Sequence, residues 1–73
     1  MDQFYGQLAE ILDVDAVSAD DKLREFENWD SLTILSICAM ADSSYRVSVS
    51  AGDMQQCISA GDLARLIAGR MRD

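Results

Sequence analysis

The sequence contains no histidine and no proline, and only 6 lysine or arginine residues stand against 13 aspartate and glutamate residues. Without histidine, the chain lacks the commonest general base and metal ligand, and a serine or cysteine nucleophile has no obvious activator. The net charge of -7 disfavours nucleic acids and anionic membranes as partners, because both carry negative phosphates. We therefore expect neither a self-contained enzyme, nor a metal site, nor a nucleic-acid-binding protein.

Long apolar runs and clustered cysteines are also missing. The longest apolar run, Ile37 to Ala41, is far shorter than the roughly 20 residues that span a bilayer, so we expect no membrane segment. The acidic start lacks the basic and apolar regions of a signal peptide, which makes the cytoplasm the expected compartment. The two cysteines, Cys38 and Cys57, lack the spacing of a zinc site, and two buried thiols are favoured over a bridge between them.

The residues that are present suffice for one small core. Hydrophobic residues make up 49% of the 73-residue chain, well above the fraction that leaves acidic chains disordered. A chain of this length buries only about 60% of its unfolded surface, so it supports a single core and no deep cleft. We expect one domain over residues 1–73.

Apolar residues at the 3.6-residue helical spacing predict three main helices and a short one. The predicted helices cover residues 2–12, about 30–44, 50–56 and 60–71. The last two begin with a capping-box pattern, in which a serine precedes an aspartate by three residues. Arg65, Arg70 and Arg72 should face water or the end of the last helix. Residues 13–30 form a long acidic loop, which we expect to be held to the core by Val14, Val17, Leu23 and Phe26.

The second predicted helix is apolar on two faces. In so small a protein one face should be buried and the other exposed, although two core faces remain an alternative. One face carries Ile34, Ile37, Cys38, Ala41 and Tyr45, and the other carries Leu32, Leu35, Ala39, Asp42 and Ser43.

Ser31 lies between the long loop and this second helix. A phosphate attached there would lie beside the free N–H groups and the positive dipole end of the helix. The alternative is that Ser31 or Asp30 simply caps the helix.

The segment Asn28-Trp29-Asp30-Ser31-Leu32 resembles the phosphopantetheine attachment motif of acyl carrier proteins, whose core is Asp-Ser-Leu. The resemblance extends to length, charge and helix order. It implies an all-α fold, a small four-helix bundle of acyl-carrier type with a long first loop. It also implies that Ser31, flanked by Asp30 and Leu32, carries 4'-phosphopantetheine, whose thiol holds acyl groups as thioesters. Such a protein is a carrier and not an enzyme.

The same resemblance implies two sets of residues around the motif and a set of partner enzymes. The partners are a phosphopantetheinyl transferase and acyl-loading, ketosynthase or acyltransferase enzymes, and the carrier itself is expected to be a monomer. The acyl group would be sheltered by Ile34, Ile37, Cys38, Ala41 and Ile58. The partner enzymes would contact Leu32, Leu35, Ser36, Ala39, Asp42, Glu25 and Glu27.

The sequence departs from fatty-acid carriers in its charge pattern. Thr33 follows Ser-Leu where an acid is common, and the acids lie ahead of Ser31 instead. This favours a dedicated fatty-acid, polyketide or related secondary pathway over a housekeeping synthase. An aminoacyl or peptidyl carrier is an alternative, although many of those have Gly-Gly where this chain has Glu27-Asn28. A helical adaptor with no cofactor is a further alternative.

Overall fold

Four α-helices and one short 3-10 helix are formed by residues 2–71, which the computed structural model describes. In chain order they are α1 (Asp2–Leu12), the 3-10 helix η1 (Leu23–Glu25), α2 (Ser31–Tyr45), α3 (Ala51–Gln56) and α4 (Ala60–Arg70). No strand occurs within these residues, so the all-α prediction is confirmed. The predicted ends of α2 and α4 each differ from the observed ones by a single residue.

The apolar faces of the helices meet in one core. Phe4 lies at its centre, where its ring meets the rings of Tyr5 and Tyr45 edge-on at centroid distances of 5.8 and 5.9 Å. The 3.6-residue spacing of Phe4, Leu8 and Leu12 places all three on the buried face of α1. The largest fully buried side chains are Phe4, Leu8, Leu12, Leu23, Ile37, Val47, Met54, Leu63 and Ile67.

Both predicted capping boxes are present. At the start of α3, the Ser50 hydroxyl accepts from the Asp53 N–H at 3.1 Å, and the Asp53 carboxylate accepts from the Ser50 N–H at 3.0 Å. Ser59 and Asp62 make the same reciprocal pair at the start of α4, with both distances 3.2 Å. These bonds satisfy N–H groups that a helix leaves without partners in its first turn.

The long loop is fastened to the start of α4 by backbone hydrogen bonds. The N–H groups of Ala60 and Gly61 donate to the carbonyls of Asp21 and Ala19, each at 2.9 Å. The Leu23 N–H donates in turn to the Ile58 carbonyl at 3.0 Å. The loop therefore supplies acceptors to the first turn of α4, and this contact places η1 beside the junction of α3 and α4.

Three of the four apolar residues expected to hold the loop do so. Val17 and Leu23 are buried, and Phe26 is half-buried against the core. Val14 is 36% exposed, contrary to the prediction. The reason lies in the backbone. Asp13 adopts a left-handed conformation with φ 58° directly after α1, so the chain changes direction there and Val14 lies at the surface.

Arg70 joins the end of α4 to the start of α3. Its guanidinium donates to both carboxylate oxygens of Asp53, at 2.8 and 3.3 Å, and to the Ser48 carbonyl at 2.9 Å. Arg70 is exposed in the last turn of α4, as expected, and the tertiary fold also brings Asp53 within its reach. Arg65 pairs with Asp62 at 2.6 Å, and the expectation for Arg72 lies outside the described residues.

Acid should weaken the contact between α3 and α4. The Arg70 guanidinium, together with the Ser50 N–H, holds the pKa of the Asp53 carboxyl far below its ordinary value. A carboxyl with a lowered pKa stabilises the fold above its unfolded pKa, about 3.9, and loses that contribution as the pH falls towards the folded value. We expect Asp53→Asn to lower the melting temperature at pH 7, and the gap to wild type to shrink below about pH 4.

Thermal unfolding at a series of pH values measures this gap. The matched control is Arg70→Gln, in whose background Asp53→Asn should have a smaller effect because the partner is already lost. A gap that stays constant from pH 7 to pH 2 would contradict the assignment.

Candidate functional site

The segment Asp30-Ser31-Leu32 forms the start of α2, and Asp30 is the residue that caps it. The Asp30 carboxylate accepts from the Thr33 N–H at 2.9 Å, and its carbonyl accepts from the Ile34 N–H at 2.9 Å. The Thr33 N–H holds the pKa of the Asp30 carboxyl below its ordinary value, so the cap is charged at neutral pH. Ser31 is the first residue of the helix, and capping does not require its hydroxyl.

Ser31 and Leu32 are exposed at this helix end, and Leu32 retains 74% of its accessible surface. An exposed hydroxyl at the first position of a 15-residue helix lies where the N–H groups and helix dipole favour an anion. The residues present therefore fit a phosphodiester attached through Ser31 Oγ.

Asn28 ties the loop before Ser31 to the end of α1. Its side-chain amide donates to the Leu12 carbonyl at 2.9 Å, across 16 positions of sequence. Next to it, the Trp29 N–H donates to the Phe26 carbonyl at 3.2 Å, and the Trp29 side chain packs half-buried against the core. Sequence reasoning missed the Asn28 contact, because nothing local indicates which carbonyl a side-chain amide will meet.

The two faces of α2 have opposite environments, as the sequence predicted. Thr33, Ile37 and Ala41 are buried, and Ile34, Cys38 and Tyr45 are half-buried on the same side. Glu25 and Glu27, ahead of the helix, are both exposed. We call the exposed side of the helix the α2 outer face, which consists of Leu32, Leu35, Ser36, Ala39, Asp42 and Ser43.

Four of the five residues expected to shelter an acyl group lie in or against the core, and the fifth, Ile58, does not. Ile37 and Ala41 lie in the closed core with no exposed surface, whereas Ile58 is 66% exposed. Both backbone groups of Ile58 are occupied: its N–H donates to Asp62 and its carbonyl accepts from Leu23. This arrangement holds Ile58 at the α3–α4 junction with most of its side chain exposed.

Ile58 instead borders a surface cavity of about 240 Å³ beside η1 and the end of α3. We call it the η1–α3 cavity. A second cavity of about 220 Å³ adjoins it, lined by Asp21, Lys22, Glu25 and Phe26. Neither is lined by Ile34, Ile37, Cys38 or Ala41. The residues that line the η1–α3 cavity are Lys22, Arg24, Glu25, Gln55, Cys57 and Ile58.

Both cysteines are free thiols, with Cys57 buried and Cys38 only half-buried. Burial raises the pKa of each thiol, and the nearby carboxylates raise it further. At neutral pH both therefore stay protonated and are weak nucleophiles. Among residues 2–71, no three side chains of the histidine, cysteine, aspartate or glutamate type gather as a metal site.

Comparison with known proteins identifies the chain's relatives. Residues 2–67 match the family described as "Phosphopantetheine attachment site". The fold is similar to the solution NMR structure of a holo acyl carrier protein from Geobacter metallireducens, with a TM-score of 0.77. The match covers 94% of this chain and 82% of that one at 21% sequence identity, and no curated protein sequence matches. Within the described residues, no helix combines the length and apolar character needed to cross a membrane.

Proposed function

The chain belongs to the phosphopantetheine attachment-site family, and from this premise we propose that Ser31 is the residue that carries the group. Members of this family are carriers and not enzymes, and the group they hold covalently is 4'-phosphopantetheine. When bound, it supplies a terminal thiol that holds an acyl group as a thioester. The observation that supports Ser31 is its exposed hydroxyl at the first position of α2, beside a cap that Asp30 already provides.

The neighbours of Ser31 favour attachment in distinct ways. In the transferase reaction, Ser31 Oγ would give its proton to a base of the transferase and bond to the pantetheine-linked phosphorus of coenzyme A, while the pyrophosphate bond breaks and adenosine bisphosphate leaves. The positive end of α2 then stabilises the negative phosphodiester. Asn28 positions the segment against α1 through the Leu12 carbonyl, and the exposed Leu32 offers an apolar contact to the transferase.

We propose that partner enzymes dock on the α2 outer face and on the loop acids before it. Asp42 is the single charged residue of α2, while Leu35 is 61% exposed. A partner enzyme that binds this helix must therefore contact it mainly through apolar side chains and less through basic ones. Glu25 and Glu27 place the available negative charge ahead of Ser31 instead.

This charge pattern supports a carrier of a dedicated acyl pathway rather than a housekeeping fatty-acid synthase. The two free thiols fit a reducing compartment, and we place the carrier in the cytoplasm on that ground.

Loading of Ser31 is tested by intact mass after incubation with coenzyme A, Mg²⁺ and a promiscuous phosphopantetheinyl transferase. Wild type should gain one phosphopantetheine group, and Ser31→Ala should gain none. Ser36→Ala is the matched control, since it removes another exposed hydroxyl of α2, which donates to the Leu32 carbonyl at 3.0 Å. That variant should load like wild type. Modification of a folded Ser31→Ala protein, or none of folded wild type, would refute the proposal.

A further inference from the structure

The basic residues of this acidic protein are distributed unevenly. Within residues 2–71, the ion pairs use Arg65 and Arg70, and Arg46 ends α2. Lys22 and Arg24 are the only bases among residues 1–45, which carry 10 acids, and neither pairs with a described carboxylate within 4 Å. Both line the η1–α3 cavity. The only two cations of the acidic half are therefore collected at one concave surface, where neither lies within ion-pair distance of a described carboxylate.

The rest of the cavity surface is mostly apolar. Ile58 presents a large exposed side chain, and the buried Cys57 lies beside it with a protonated, uncharged thiol. Gln55 contributes a polar edge, and Glu25 is the one acid in the lining. The charged groups facing the cavity thus sum to one excess positive charge, next to an apolar wall.

The position of Arg24 is held by the fold. One of its terminal nitrogens donates to the Gln55 carbonyl at 3.4 Å, which joins η1 to the end of α3. A guanidinium has five N–H donors, so most remain free for a ligand in the cavity. The backbone bridge between Lys22 and Ser59 holds the Lys22 main chain at the same edge, and its side chain is exposed.

We propose that the η1–α3 cavity binds the far end of a short acyl group that terminates in a carboxylate. This inference rests on the proposed carrier function and names the class of cargo. The methylene carbons would contact Ile58 and Cys57, and the carboxylate would pair with Lys22 and Arg24. The acid-rich surface of this half of the protein repels a carboxylate. In the η1–α3 cavity, by contrast, two cations stand against the single carboxylate of Glu25 and would attract one.

The size of the cavity limits the length of the cargo. At about 240 Å³ it lies below the 300–1,000 Å³ that is typical of sites for drug-sized ligands. A group of a few carbons fits, whereas a long alkyl chain would have to open the core, where Ile37 and Ala41 are already closed off. An acyl group with an uncharged alkyl end would also form no ion pair with Lys22 or Arg24.

The test compares two four-carbon groups loaded on Ser31 from succinyl-coenzyme A and butyryl-coenzyme A. They differ chiefly in the terminal carboxylate. Chemical shifts of the Ile58 methyl groups and of the Gln55 and Cys57 amides report occupancy of the cavity. We expect larger shifts for the succinyl form, because partly exposed ion pairs should favour the occupied cavity roughly two- to fivefold in the binding equilibrium. The difference should fall in 0.5 M NaCl, because salt screens such pairs.

Variants test whether the larger shifts of the succinyl form depend on Lys22 and Arg24. Replacing both in Lys22→Gln/Arg24→Gln should bring the succinyl shifts down to the butyryl level. The control Arg46→Gln removes a positive charge at the end of α2, outside the cavity lining, and should leave the difference intact. Free succinate added to the unloaded protein tests whether any dicarboxylate binds without attachment, and we expect no shift at matched concentration.

The outcomes separate this inference from the carrier function. If Ser31 gains no mass, the proposed function itself fails. If Ser31 loads normally but succinyl and butyryl forms shift the cavity residues equally, only the inference about the cargo is overturned. The same holds if the Arg46→Gln control abolishes the difference as well, since the effect would then reflect net charge and not the cavity.

Discussion

Replacing Ile37 with glutamate is expected to unfold the domain, whereas the same replacement at Leu35, two residues earlier in α2, should leave it folded. Ile37 has no exposed surface and Leu35 keeps 61% of its own. A glutamate at 37 would remove the apolar contacts of a core residue, worth about 2–5 kcal/mol, and would bury a carboxylate without a partner. The total free energy of unfolding of a domain this size is only roughly 4–11 kcal/mol.

Circular dichroism and thermal unfolding of the two variants test this difference. Leu35→Glu should retain the helical signal and melt within a few degrees of wild type, yet load more slowly with the transferase, because it places a charge on the α2 outer face. Ile37→Glu should lose the helical signal at 25 °C. Loss of helix in Leu35→Glu would place that side chain in the core and remove the basis for the outer face as a docking surface.

Replacing Gly61 with alanine is expected to destabilise the fold, although alanine is the better helix former. A Cβ at this position would lie 3.0 Å from the Ala19 carbonyl oxygen and 3.1 Å from the Ala19 Cβ. Overpacking of this kind costs about 1–3 kcal/mol, against a helix-propensity gain of about 1 kcal/mol. The backbone hydrogen bond from Gly61 to Ala19 would stretch as well, and this loop also carries Lys22 and Arg24.

Gly6→Ala is the matched control, because Gly6 lies within α1 and a Cβ there would meet nothing within 4 Å. That variant should gain about 0.5–1 kcal/mol from helix propensity. Since 1 kcal/mol corresponds to about 4–8 °C in a domain of this size, thermal unfolding should move the two variants in opposite directions. An equal rise in melting temperature for both variants would show that Ala19 of the loop does not restrict the space for a Cβ at Gly61.

Features carried by neighbouring residues could be predicted from the sequence alone. The helical spacing located four helices to within a residue or two, and the Ser50–Asp53 and Ser59–Asp62 patterns marked two helix starts that the structure confirms. The buried and exposed faces of α2 also followed from spacing. These features depend on contacts three or four positions apart, whose geometry is the same in every α-helix.

Contacts between distant segments were decided by the tertiary structure. The pairing of Arg70 with Asp53 spans 17 positions, and that of Asn28 with Leu12 spans 16. The exposed Ile58 and the cavity beside η1 likewise depend on how the long loop docks on α4. The sequence by itself determined the helices, the core and Ser31 as the candidate attachment residue. The packing of the helices and the loop decided which residues line the η1–α3 cavity, because side chains this far apart in sequence meet only when the whole chain has folded.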